Sequence, residues 1–259
     1  MIKRIYRKLR REYRKFTAKP YGEDPRYPAY WFDQVRGGEA TFVVQIGSND
    51  GKTNDPLHAL FRQHPQWEAL LVEPIPYISE RLRQNYPDAK RFRIATVAIN
   101  DGNNLPFYCV DPVAKKEHPD LPPWFDQLAS FDRSHLTRHL DGVLEPYVRT
   151  LDIRGITLEQ LLAEQGVTKI DILHIDVEGF DWVVLQQLDL EQYQPDFILF
   201  ERHHLSEEDL DEAIAFLQPQ YDVFATDIDA LGVHHRLNAG IRNGMASHMQ
   251  RLDGKPTQP

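Results

Sequence analysis

The sequence predicts an α/β fold with a mostly parallel sheet and helices on both faces. Three observations carry this. Apolar strand-like runs alternate with helix-like runs over 42–99, the rhythm of a βαβαβ unit. The same alternation returns over 157–226. The runs Phe42–Ile46, Trp67–Val72 and Ile170–Ile175 each end abruptly in polar residues, and open α/β sheets bind ligands beyond the carboxyl ends of their strands.

A chain of 259 residues suits one α/β domain with additions. The net charge of −9 argues against nucleic acid as a partner. The charge is uneven: residues 1–19 hold nine Lys/Arg against Glu12, a balance of +8, which leaves −17 on the other 240 residues. The single cysteine, Cys109, excludes an internal disulfide framework and a Cys-rich zinc site. It fits a reducing, cytoplasmic compartment. No run of 18 apolar residues predicts a membrane span, and no apolar segment follows the basic N-terminus as in a secretory signal.

Residues 1–19 place Ile2, Tyr6, Leu9, Tyr13 and Phe16 at helical spacing, with Lys and Arg on the other faces. A basic amphipathic helix is expected, either packed on the acidic body or touching a membrane surface or acidic partner. Residues 20–40, rich in proline and aromatics, read as a packed connector and a candidate edge of a site. The main domain is expected over 41–230 and a tail over 231–259.

Within the domain, Phe42–Ile46 is the first strand. Pro56–Gln63 is a helix, Trp67–Val72 the second strand, Tyr77–Asn85 a helix and Phe92–Ile99 the third strand. From Gly102 to Gly155 the βα rhythm stops. Leu105–Val110 and Tyr147–Ile153 read as strands and Phe125–Asp141 as partly helical. So long an interruption reads as an inserted cap or substrate segment. Thr157 then caps a helix, Ile170–Ile175 is the fourth strand, and Trp182–Leu188 is helical. Pro195–Phe200 is the fifth strand, Ser206–Leu217 a helix capped by Ser206, and Tyr221–Thr226 the sixth strand.

Chemistry concentrates at the strand ends. After the first strand comes Gly47-Ser48-Asn49-Asp50-Gly51, whose glycines allow a ligand close to the backbone. Its spacing is not GxGxxG and it is not a P-loop, and Asp50 disfavours a phosphate. Glu73 ends the second strand 22 residues after Gly51, where a carboxylate can accept both hydroxyls of a ribose. A glycine turn, a ribose-type acid and no phosphate signature together suggest an adenosine ligand without phosphates, of which S-adenosylmethionine is the common one. Asp176, Glu178 and Asp181 surround Gly179 after the fourth strand.

These pieces resemble the FkbM-type family of S-adenosylmethionine-dependent methyltransferases. The matching stretches are VVQIGSNDGKTND (43–55), LLVEPIPYISERL (70–82), ATVAIND (95–101), RGITLEQLL (154–162), DILHIDVEGFDWVVLQQL (171–188) and FILFERHH (197–204). They cover roughly 41–225. The resemblance implies a class I methyltransferase fold, Rossmann-like, with seven strands. It implies methyl transfer, usually to a hydroxyl oxygen. It places the methionine part of the cofactor at Gly47, Ser48, Asn49, Asp50 and Gly51. The ribose falls at Glu73-Pro74 and the adenine near Val97 and Ala98, with Asp176 at the reacting centre. One departure is Gln45, where many relatives carry an acid; its contact to the cofactor amino group then falls to Asp50 or Asp176.

The acceptor is expected to be a hydroxyl of a sugar, glycan or secondary metabolite. An alcohol needs a base as its proton leaves. Asp176, Glu178, His203 and His204 are the strand-end candidates, with the histidines favoured for their pKa. Asp176, Glu201 and His203 form an oxygen-rich set of the kind that suits Mg²⁺, though no metal is expected. His135/His139 and His234/His235 read as surface or packing histidines, with no third ligand evident. Trp124, Phe125 and Phe131 either line a substrate pocket or form the insert's own core. Two rival readings stand: a nicotinamide- or nucleotide-binding α/β enzyme, and a non-catalytic adaptor on the same fold.

Overall fold

The computed structural model describes residues 22–103 and 105–254. The basic helix expected at 1–19 lies outside the described residues, as does the end of the polar tail.

The first strands are apolar on both faces, and the fold buries them accordingly. β1 (Thr41–Ile46) and β2 (Trp67–Val72) each have one residue that is not buried, the mark of central parallel strands covered on both sides. β1 pairs in parallel with β2 on one edge and with β9 (Ile172–Ile175) on the other. β3 (Phe92–Ala95) extends the β2 side, and β10 (Phe197–Glu201) extends the β9 side. β12 (Asp229–His234) runs antiparallel to β10 and to β11 (Tyr221–Ala225). With β13 (Gln250–Arg251) at the far edge, the full order is β13-β11-β12-β10-β9-β1-β2-β3. Successive strands leave β1 in opposite directions, so the β1–β9 boundary is the topological switch point, where such sheets hold ligands.

Alternation along the strands sends side chains to two cores. Val44, Ile46, Leu70, Leu173 and Ile198 face α6 (Leu158–Glu164), α7 (Asp181–Leu185) and α8 (Glu207–Leu217). Val43, Leu71, Ile172 and Leu199 face α1 (Pro28–Arg36), α2 (His58–Gln63) and α9 (Ala239–Ala246). The caps read in the sequence form: Thr157 Oγ1 accepts the N–H of Gln160, and Ser206 Oγ that of Asp209.

Four differences from the sequence reading matter. The main sheet has eight strands rather than seven. The extra one is β13 (Gln250–Arg251), antiparallel to β11. Residues 231–251, expected as a tail, complete β12 and supply α9 and β13. The connector 20–40 contains α1, whose Ala29, Trp31 and Phe32 are buried.

The expected third strand, Phe92–Ile99, is broken. Only β3 joins the main sheet, while β4 (Ala98–Ile99) pairs with β8 (Gly155–Ile156) across the mouth of the insert. The insert has its own sheet, with β5 (Phe107–Val110) between β6 (Ala129–Ser130) and β7 (Val148–Leu151). Two short helices follow the insert chain, α4 (Ala114–Glu117) and α5 (Arg133–Arg138). Leu121, Phe125, Leu136 and Leu144 form its core. The insert is fixed to α3 (Pro76–Asn85). The Tyr77 hydroxyl donates toward the carbonyls of Val110 and Asp126, and Arg81 pairs with the Asp126 carboxylate at 2.8 Å.

Candidate functional site

The turn after β1 is built largely for itself. Ser48 Oγ donates to the Gln45 carbonyl and accepts the Val72 N–H, both at 3.1 Å. Asp50 spends its carboxylate on the N–H groups of Lys52 and Thr53 and on the Thr53 hydroxyl. Gly51 lies against Tyr86 and Leu82 with no room for a side chain. Only Gly47 and Asn49 of the five turn residues line the cleft beside it. Ser48, Asp50 and Gly51, also expected at the ligand, do not line this cleft, and their contacts hold the shape of the turn.

Glu73 is buried at the end of β2. Its Oε2 accepts the N–H of Asn49 at 3.0 Å and its Oε1 that of Ile75 at 2.8 Å. Burial pushes its carboxyl up to about 8, against the pull of those two donors. Each oxygen has a further lone pair to offer. Pro74, Val97, Ala98, Phe107 and Phe131 line the same cleft, with Asp176 and Glu178 at its other end. A carboxylate for hydroxyls, an apolar slot for a flat ring and acids for a cation fit the donor set an S-adenosyl cofactor needs.

The cleft is narrow. Its free volume is about 50 Å³, far below the ~300 Å³ of a small-molecule site. Phe131 of the insert and Phe180 of the β9–α7 loop form its roof, their rings 5.1 Å apart.

A second, larger cavity of about 560 Å³ opens on the other side of the strand ends. Arg26, Tyr27 and Pro28, the lead-in to α1, line one edge, which places the connector at a cavity wall. His174, Arg202, Thr226, Asp227 and Asp229 add polar groups to a lining that also holds Pro56, Leu199, Ile228 and Met249. Arg202 is held by the carbonyls of Thr226 and Asp229, at 3.0 and 3.2 Å.

Asp176 lines both spaces. Burial raises its carboxyl well above the ordinary range, and Glu201, Glu178, Asp229 and Asp55 push the same way. Asp181 beneath it is structural. It is fully buried, and its carboxylate accepts the N–H groups of Gly179 and Glu201 at 3.3 and 3.1 Å, tying the loop after β9 to the end of β10.

The favoured bases do not reach either space. His203 is exposed and lines neither cavity. His204 is turned away: its Nδ1 lies 2.8 Å from Glu201 Oε2 and 3.4 Å from Glu178 Oε2. Adjacent residues at a strand end diverge, which the linear sequence conceals. The Mg²⁺-type set of Asp176, Glu201 and His203 is not brought together among the described residues. His135, His139, Glu178 and His204 are. Burial works to raise the Glu178 carboxyl, but the hydrogen bond from His135 and the charges of His135, His204 and His139 bring it below the usual range.

Gln45 holds a buried polar cluster that sequence reasoning missed. Its Nε2 lies 3.1 Å from His174 Nδ1 and 3.3 Å from Asp55 Oδ2. Burial lowers His174 to about 4 and raises Asp55 to about 6, so the imidazole is neutral. His174 sits inside an apolar strand run, and its register opposite Gln45 was the signal available.

Residues 45–224 match the model of the methyltransferase FkbM domain. No curated protein matches the chain significantly. Among solved structures, a fibrillarin/Nop5p complex aligns at 11% identity and a TM-score of 0.41, covering 78% of this chain and 75% of that one. The precorrin-6y C5,15-methyltransferase from Geobacter metallireducens aligns at 10% identity and 0.39, covering 79% and 85%. The METTL16 methyltransferase domain aligns at 10% identity and 0.42, covering 79% and 64%.

Proposed function

The chain belongs to the FkbM-domain methyltransferases, and from that premise we propose that it methylates a hydroxyl of a sugar, glycan or secondary metabolite. One observation carries the reading: Asp176 lines both the narrow cleft at Glu73 and the wide cavity at Arg202. A cofactor held in the first and an acceptor held in the second would meet at its carboxylate.

S-adenosylmethionine supplies an electrophilic methyl group on a positively charged sulfur. The chain supplies position and charge. Glu73 accepts the ribose hydroxyls, Val97 and Ala98 flank the adenine, and Gly47 and Asn49 present backbone to the methionine part. The acids around Asp176 suit a cation, and a cation beside Asp176 restores its ionised form. Asp176 would then take the proton of the acceptor hydroxyl as that oxygen gains the methyl group and the cofactor sulfur leaves as a neutral thioether. Holding the two reactants in line is itself a large share of the rate. The polar groups of the wide cavity, Arg202, Thr226, Asp227 and Asp229, suit an acceptor that carries hydroxyls beside apolar surface.

Incubation with methyl-labelled S-adenosylmethionine and a panel of sugars, glycans and polyhydroxylated metabolites tests this. Label on a hydroxyl oxygen supports it; a protein that binds S-adenosylhomocysteine yet labels nothing favours an adaptor. A thermal-shift comparison of S-adenosylhomocysteine with NAD tests the cofactor, and stabilisation by NAD alone refutes it. The basic segment 1–19 adds a proposed contact with an anionic membrane surface or acidic partner. Equal recovery on liposomes with and without those residues removes the membrane contact.

A further inference from the structure

We propose that His135, His139, Glu178 and His204 bind one divalent cation of the zinc class, which fastens the insert to the strand ends. The site shares Glu178 with the lining of the narrow cleft, but its test does not depend on the cofactor reading. The four ligand atoms all lie within 4.8 Å of one another. His135 Nε2 is 2.8 Å from Glu178 Oε2 and 3.1 Å from His139 Nε2. Around a tetrahedral zinc ion with ordinary bond lengths, neighbouring ligand atoms stand about 3.3 Å apart. The pairs at 2.8 and 3.1 Å are already near that spacing, and the widest pairs of the set, at up to 4.8 Å, close by at most about 1.5 Å to seat the ion. Three imidazoles and one carboxylate are a borderline-soft set that suits Zn²⁺ better than Mg²⁺.

The ligands come from separate parts of the chain. His135 lies on α5 and His139 just beyond it, both in the insert. Glu178 follows β9 and His204 follows β10. The loop gives Glu178 a left-handed backbone, φ 55°, which L-residues rarely adopt. His204 Nδ1 lies 2.8 Å from Glu201 Oε2 and 3.4 Å from Glu178 Oε2; ligation through Nε2 would leave Nδ1–H to Glu201, as an outer carboxylate partner holds a ligating histidine. Tyr77 and Arg81 already hold the opposite side of the insert to α3. An ion here closes the second side, next to the roof rings Phe131 and Phe180.

The test uses the full-length, tag-free chain stripped with a chelator. Zn²⁺ is titrated calorimetrically, and Co²⁺ serves as the spectroscopic probe. We expect one ion per chain, a visible tetrahedral Co²⁺ band, and a higher melting temperature with Zn²⁺. The double variant His135→Gln, His139→Gln should bind at least about 100-fold more weakly, and the shape-preserving Glu178→Gln at least about tenfold. His203→Gln, next to the site but outside it, should bind as the wild type does. Absence of stoichiometric binding, or equal affinity in wild type and Glu178→Gln, overturns the site. Equal proteolysis within 102–155 with and without bound Zn²⁺ overturns the fastening role.

Discussion

A Cβ added to Gly47 would overlap the carbonyl oxygen of Asp176 and come within 2.8 Å of its carbonyl carbon. The ends of β1 and β9 are therefore in backbone contact, and the Asp176 N–H donates to the Ile46 carbonyl at 2.9 Å. This contact fixes the turn after β1 and Asp176, which lines both cavities, as one unit.

Replacement of Gly47 by Ala should be costly. The residue sits at φ +83°, so the substitution adds backbone strain to the clash. A destabilisation of about 2–4 kcal/mol is expected, read as a lower urea midpoint. An unchanged midpoint would mean that the two strand ends separate at little cost.

Glu73→Gln should divide binding from stability. The amide keeps one acceptor oxygen but turns an NH₂ toward the N–H of Asn49 or Ile75. Affinity for S-adenosylhomocysteine should fall at least about tenfold, ~1.4 kcal/mol. The empty protein should lose less stability to this change at pH 9 than at pH 7, because only at the higher pH does it remove a buried ionised acid. Undiminished affinity by calorimetry would detach Glu73 from the ribose.

The same buried acids set a pH dependence. Burial raises Glu73 to about 8, Asp229 to about 7 and, together with Glu178 and Asp229, Glu201 to about 8. Between their ordinary values and these, the folded state binds more protons than the unfolded one. Stability therefore falls as pH rises through this window. The histidines lowered by burial, His58, His139, His174 and His234, oppose this only at lower pH, since above pH ~7 they are neutral in both states. The cofactor-free protein should melt lower at pH 9 than at pH 7, and Glu73→Gln should flatten the slope. A melting temperature that climbs over this interval contradicts the assignment.

Much of this arrangement was legible in the sequence. Parallel strands buried on both faces are continuous apolar runs, so Phe42–Ile46 and Trp67–Val72 marked themselves. Glu73 and Asp176 stood out because strand ends are where such sheets put chemistry. Contacts between distant segments carry no local signature. His135 and His139 showed only their i, i+4 spacing, and Glu178 and His204 join them through folding of the insert. The β3–β4 break was hidden because Phe92–Ile99 keeps its apolar character while changing partners. Asp50 looked available because a sequence does not show that a turn can consume its own carboxylate.

The position of Asp176 makes a sharp prediction about the proton. It is the one candidate base in the walls of both cavities, while His203 is in neither. Asp176→Asn keeps size and shape but cannot take a proton. Transfer to any acceptor found in the labelling panel should slow by about 10²- to 10⁴-fold. Cofactor affinity should change much less, since Glu73 and Gly47 are untouched. His203→Ala should transfer at nearly the wild-type rate, because that ring faces solvent. Single-turnover labelling measures the chemical step apart from binding. A fast Asp176→Asn variant, or a slow His203→Ala, would move the base back to the end of β10.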